Sequence, residues 1–206
     1  MANNSVRTVE DVVNLALVRI GYKQRIGSIW DGSEAAKRAL DIYAQTRDEL
    51  LRQFDWGFAE RTVSMVLIKQ APADGYVPPN MWDPTLHPAP PWLFEVVYPA
   101  DAIKIRSIQN IPLFVPDFDP QPYQFSVSND NTLADPNKVV LCNVFPGIVT
   151  YTGQVTNPGD WENDFVESFA SALGTRLAPL LSSLDDAKLE AADASTQSVV
   201  AETIRG

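Results

Sequence analysis

The sequence predicts an α+β chain: an antiparallel helical bundle formed by the N- and C-terminal helices, with a small, mostly antiparallel β region inserted between them. Three observations carry that expectation. Apolar residues recur at helical spacing near both ends, and the period drops to two in the middle. Twelve of the sixteen prolines fall between Pro72 and Pro122, where a missing backbone donor and a fixed φ bar helix interiors. The expected units are residues 1–57 with 158–206 for the helices, and 58–157 for the β region with a proline-rich arm at 71–91.

Val9, Val12, Val13, Ala16, Leu17 and Ile20 form one apolar stripe, which defines a first amphipathic helix. Thr8 is placed to cap it with Asp11 three residues on, and Gly21 stands where a left-handed cap would end it. A second stripe, Ala36, Ala39, Leu40, Tyr43, Leu50, Leu51 and Phe54, follows Ser33 as N-cap, with Glu34 against the positive end of the dipole. The connector from Tyr22 to Gly32 is short, so the two helices are expected to pack as an antiparallel hairpin.

From Phe58 onward Val63, Met65 and Leu67 share one face of a first strand. Further strands are expected at 94–98, 103–108, 123–127, 138–143 and 148–152, all rich in branched and aromatic residues. The segment 71–91, with seven prolines from Pro72 to Pro91, is expected to be an exposed extended arm or long loop. Asp160 is expected to cap a third helix carrying Trp161, Phe165, Phe169, Ala172, Leu173, Leu177 and Leu180, with Pro179 near its end. A fourth, Ala-rich helix opens near Ser183; its small side chains bury little area, so it is marginal alone.

A chain of 206 residues that is 45% hydrophobic and 20% charged is not a disordered one. No run of about 18 apolar residues occurs, and Glu10 and Asp11 interrupt the opening segment, so neither a membrane span nor a signal peptide is expected. One cysteine, Cys142, and one histidine, His87, exclude a disulfide framework and the usual zinc spacings. The net charge of −10 argues against sequence-specific nucleic-acid binding. Residues 1–62 hold nine basic and nine acidic side chains, and the remainder seven and seventeen, so the whole acidic excess lies in the later part.

No nucleophile, phosphate loop or metal motif stands out, and neither an enzymatic activity nor a cofactor is expected. His87 reads as an exposed loop residue and Cys142 as a small apolar strand residue. A sugar-cleaving carboxylate pair among Glu95, Asp101, Asp160 and Glu162 is the one enzymatic alternative, though the last two are better explained by the start of a helix. Trp56, beside Phe58, reads as a domain-junction ring locking helix to sheet. Trp82 and Trp92 flank the arm, where large aromatics either serve as anchors for a partner or are buried by the arm folding back.

The run Val13-Asn14-Leu15-Ala16-Leu17-Val18-Arg19-Ile20-Gly21, then Asp31-Gly32-Ser33-Glu34-Ala35-Ala36, Tyr43, Arg47-Asp48-Glu49-Leu50-Leu51 and Trp56-Gly57-Phe58-Ala59 resembles the tail tubular protein A, or head-to-tail adaptor, family of short-tailed bacteriophages. Tyr98-Pro99-Ala100-Asp101-Ala102 and the segment 165–180 extend the likeness. The resemblance implies a structural protein of the virion tail, assembled in the host cytoplasm. In the virion it forms a homo-oligomeric ring of twelve between the portal protein and a tail nozzle of the tail tubular protein B kind, with tail fibres as further neighbours. The subunit is a monomer when free, double-stranded DNA passes through without sequence-specific binding, and no cofactor, metal, active site or membrane is involved. On that reading the tail residues Ser195, Val199, Val200, Ile204 and Arg205 are portal-contact candidates, and Tyr76, Met81, Trp82 and Trp92 are nozzle or fibre contacts. The alternatives are a phage-associated glycan hydrolase and a non-viral interaction module that uses the arm.

Overall fold

The structure, a computed structural model, describes residues 7–76, 81–110, 122–134 and 138–181. It is mixed α/β, with three helices and two antiparallel sheets. The chain divides into two compact units, residues 1–50 with 155–206 and residues 51–154. No described helix is long and apolar enough to cross a membrane.

In the first unit, α1 (Val9–Arg19) starts at a complete capping box: the Thr8 side chain accepts from the Asp11 amide and the Asp11 carboxylate accepts from the Thr8 amide. Gly21, at φ +74°, takes the left-handed turn that ends it. α2 (Glu34–Gln53) begins on Ser33, whose hydroxyl accepts from the Ala36 amide at 3.2 Å. A third helix occupies 163–181 and carries Pro179 without ending there. It does not start on Asp160. Residues Pro158–Asp160 form a 3-10 turn that Asn157 caps, and the α-helical bonds begin with the Val166 amide on the Glu162 carbonyl.

The contacts of 163–181 fix the direction of the other two helices. Arg7 bonds the Trp161 carbonyl and Asn163 at its start, while Ala16 and Ile20 abut Gly174 further on, so α1 runs parallel to it. Tyr43 packs on Trp161 and Phe169, and Thr46 and Glu49 bond Arg176, so α2 does too. The antiparallel hairpin expected for α1 and α2 is therefore incorrect. An 11-residue helix is only about 17 Å long, and the connector doubles back along it: Asn14 brackets the Ile26 backbone and Glu10 holds the Ile29 amide. α2 thus sets out from the end where α1 began. Phe165, Phe169, Leu173 and Leu177 are fully buried, but Leu40 and Phe54 of the expected α2 stripe are exposed, their places taken by Ala35, Thr46 and Arg47.

Among its described residues the second unit holds seven strands: β1 (Glu60–Ser64), β2 (Leu67–Gln70), β3 (Phe94–Val97), β4 (Ala102–Asn110), β5 (Phe125–Asn129), β6 (Lys138–Cys142) and β7 (Gly147–Gly153). They form a three-stranded sheet, β1-β7-β4, and a four-stranded sheet, β2-β3-β6-β5, where a single sheet was expected. The expected first strand is split at Met65 and Val66. The Met65 amide bonds the Gly147 carbonyl beside one sheet, and the Val66 carbonyl accepts from Val97 in the other. Val63 and Leu67 consequently lie exposed rather than on a buried face. Ile105, Ile108, Val149 and Tyr151 of the first sheet share one core with Val96, Val140 and Cys142 of the second. A Cβ on Gly147 would meet the Gln109 carbonyl at 2.6 Å, so only glycine lets β7 approach β4 there.

Of the two forms expected for the proline-rich segment, its described residues, 71–76 and 81–91, take the long loop. Gly75 closes a turn on Pro72, and Asp83 organises another by accepting from Thr85 and offering its carbonyl to Leu86 and His87. Tyr76 and Trp82 both donate to the carbonyl of Pro88, which is itself buried. Those side-chain donors compensate for the proline-depleted backbone and pull the segment onto itself. Trp56 is half-buried and packs against Phe54 and Phe58 with centroids at 5.7 and 6.3 Å. The fourth helix and Ser195, Val199, Val200, Ile204 and Arg205 lie outside the described residues.

Candidate binding pocket

In the four-stranded sheet, alternation sends Val96, Val140 and Cys142 into the core and turns their neighbours to the opposite face. Register places Lys69 of β2 opposite Glu95 of β3, and Glu95 opposite Leu141 of β6. The loop that follows β5 brings Asp130 and Thr132 to the same place, and the folded arm supplies Trp82, Pro84 and His87. Together these enclose a cavity of about 350 Å³. A second hollow of about 660 Å³ shares Trp82, Pro84 and His87 and runs out past Met81 and Leu86.

Lys69 is the hub. Its ammonium donates to the Pro84 carbonyl and the Thr132 hydroxyl, each at 2.7 Å, and to the Asp130 carboxylate. An ammonium has three N–H groups, and all three are thereby placed. Asp130 is equally well served, its other oxygen taking the Thr132 amide and hydroxyl, both at 2.8 Å. Burial opposes ionisation of Asp130, but the bonds from Lys69 and Thr132 outweigh it and hold the carboxyl well below the ordinary carboxylate range.

Glu95 is left over. Its side chain is 5% exposed, its Oε1 lies 3.9 Å from the Lys69 nitrogen, and that oxygen has no hydrogen-bond partner among the described residues. Burial, followed by the adjoining Asp130 carboxylate, pushes the Glu95 carboxyl up to about 7, with Lys69 pulling the other way. The result is a buried acid raised toward neutrality, with one unsatisfied oxygen, in a residue that lines the cavity, a combination found at ligand sites.

Of the four carboxylates considered for sugar hydrolysis, only Glu95 lies here. Asp101 is paired with Arg61 and accepts from the Tyr151 hydroxyl, and Asp160 accepts from Asn157. The carboxylate beside Glu95 is Asp130, in direct contact with it, which leaves no room for the sugar carbon that acid and nucleophile must flank. His87 is half-buried, its Nδ1 3.1 Å from the Gln70 carbonyl and its ring against Tyr76. Cys142 is buried, donates to the Val144 carbonyl, and burial pushes its thiol up. Of the nozzle or fibre candidates, Met81 and Trp82 reach the surface, at 70% and 44% exposure, whereas Tyr76 and Trp92 are half-buried. Sequence reasoning missed Lys69 and Asp130. The available signals were a lysine within a strand run and the Asp130-Asn131-Thr132 triplet, which suits an Asx turn.

Among the described residues no group of three or more His, Cys, Asp or Glu could hold a metal ion. The sequence matches no protein-family model and no curated protein.

Proposed function

We propose that this chain is a structural adaptor of a short-tailed phage virion, one subunit of a ring seated between portal and tail nozzle. The reading starts from the signature in residues 13–59 and is supported by how that signature folds. The α1–α2 connector is rigidly built: Asn14 brackets Ile26, Glu10 holds the Ile29 amide, and Asp31 accepts from the Gly27 and Ser33 amides. Hydrogen bonds from the Ser33 side chain and backbone push the Asp31 carboxyl down to about 2. In the middle of this braced loop Trp30 is 75% exposed. A large ring held out on a pre-organised loop is the arrangement that anchors a protein partner at low entropic cost, and it is the single observation that favours an assembly role most.

On this proposal the N- and C-terminal helices, as a helical bundle, form the ring wall, residues 195–206 reach the portal, and the β unit with its folded arm faces nozzle or fibres. The acidic excess after residue 62 suits a channel through which DNA slides without sticking. The test is co-sedimentation of the full chain with purified portal rings. Binding lost on Trp30→Ala or on removal of residues 195–206, with the melting temperature of the free subunit unchanged, supports the role. Failure to co-sediment over a range of salt removes it.

A further inference from the structure

We propose that the pocket on the outer face of the four-stranded sheet binds an organic cation carried on an alkyl stem, an alkylguanidinium or alkylammonium group, with Glu95 as counter-ion and Trp82 as aromatic wall. Most of the buried polar groups in this pocket already have partners. Every N–H of Lys69 has an acceptor, and both oxygens of Asp130 have donors. Oε1 of Glu95 has none, although the side chain is only 5% exposed. A buried acceptor without a donor is costly, and a ligand N–H is the missing complement.

Charge decides which donor. Lys69 and Asp130 cancel, so ionised Glu95 leaves the cluster net negative in a chain that is itself at −10, a field that concentrates cations. Pro84, Ala89, Val139 and Leu141 give the cavity an apolar side that offers a sleeve for methylene groups, with the polar Ser128, Asn129 and Asn131 also lining it. The Trp82 ring is fixed by donation from Nε1 to the Pro88 carbonyl at 2.9 Å and borders both hollows, where its face can receive a cation. At about 350 Å³ the cavity sits at the small end of ligand pockets, which run from about 300 to 1,000 Å³. That suits one side-chain-sized group.

The charged and titratable groups that line the cavity with Glu95 are Lys69 from β2, Asp130 from the loop after β5, and His87 from the arm. A bound cation favours the ionised form of Glu95, so binding releases a proton and strengthens as pH rises through neutrality. The site does not depend on the adaptor role and survives its failure.

The test is titration of the full chain with n-butylguanidinium and n-butylammonium, followed by calorimetry and tryptophan fluorescence, with neutral n-butylurea and methyl glucoside as controls. Saturable binding of the cations alone is expected, weakened at least tenfold by Glu95→Gln and several-fold by Trp82→Leu. The affinity should fall about tenfold from pH 8 to pH 6, and His87→Gln should keep that dependence. Acetyl-arginine amide separates the sources: its binding assigns the site to a basic side chain of a partner, and its exclusion assigns it to a free small cation. No saturable cation binding, equal binding by Glu95→Gln, or equal binding of butylurea or the glucoside would overturn the proposal.

Discussion

Replacing Glu95 by glutamine should stabilise the protein, and the gain should grow with pH. Burial and Asp130 raise the Glu95 carboxyl from an ordinary 4.5 to about 7 in the folded chain. Below 4.5 both folded and unfolded states hold the proton. Between 4.5 and about 7 the folded state keeps it while the unfolded state has lost it, so protons bound to the native form exceed those on the unfolded one and stability falls as pH rises. Each pH unit across that interval is worth about 1.4 kcal/mol, so by pH 8 the wild type has lost about 3 kcal/mol through this one group. The side chain is 5% exposed, so solvent screening removes little of it. Glutamine has the same shape, carries no charge, and can donate to Asp130. Asp130 itself does not interfere: its carboxyl is lowered, so its contribution is complete above 3.8 and lost only at lower pH. Urea unfolding of both proteins at pH 5, 6, 7 and 8 should show a difference in favour of the variant that widens by about 2 to 3 kcal/mol across the series. Curves that stay parallel would refute the description of Glu95 as a buried acid whose carboxyl is raised by burial and by Asp130.

Lys69→Met should act in the opposite sense, costing about 3 to 5 kcal/mol at pH 8 because Asp130 is left buried without its cation, and acidification toward pH 5 should recover part of the loss in thermal melts. Phe169→Ala, in the fully buried cluster with Tyr43 and Trp161, should cost about 3 to 5 kcal/mol by urea unfolding. Gly174→Ala gains about 1 kcal/mol of helix propensity but sets a methyl 3.0 Å from the Ala16 carbonyl; overpacking of about 1 to 3 kcal/mol wins, and the melting temperature should drop. Trp56→Ala should cost only about 1 to 2 kcal/mol, the apolar area of a half-buried ring, rather than the larger penalty a fully enclosed tryptophan would carry.

What the sequence revealed tracks how local each determinant is. α1 was legible to its ends because Thr8, Asp11 and Gly21 act within one turn of the positions they cap. The β runs were legible because alternation is a property of neighbours. Alternation does not say which sheet a strand joins, so the break at Met65 and Val66 was invisible, as was the division into two sheets. The helix directions failed for a related reason: the connector length allows both a tight reversal and a return along α1, and only Asn14 and Glu10 holding the connector decide it. Leu40 looked like core by spacing, yet buried Thr46 and Arg47 occupy the packed face, each with its polar atoms bonded. In the pocket, Glu95 was visible as a carboxylate but its meaning was not. Its environment is set by Lys69 and Asp130, sixty-one residues apart in sequence, and by an arm whose proline content disguised how firmly Pro88 gathers Tyr76 and Trp82.

The adaptor reading is tested most directly by electron microscopy of portal rings incubated with the full chain. The account predicts an added annular layer on one face of each portal, sharing its rotational axis and lost with Trp30→Ala. Bare portal rings beside free monomers, at subunit concentrations well above those of the portal, would contradict it.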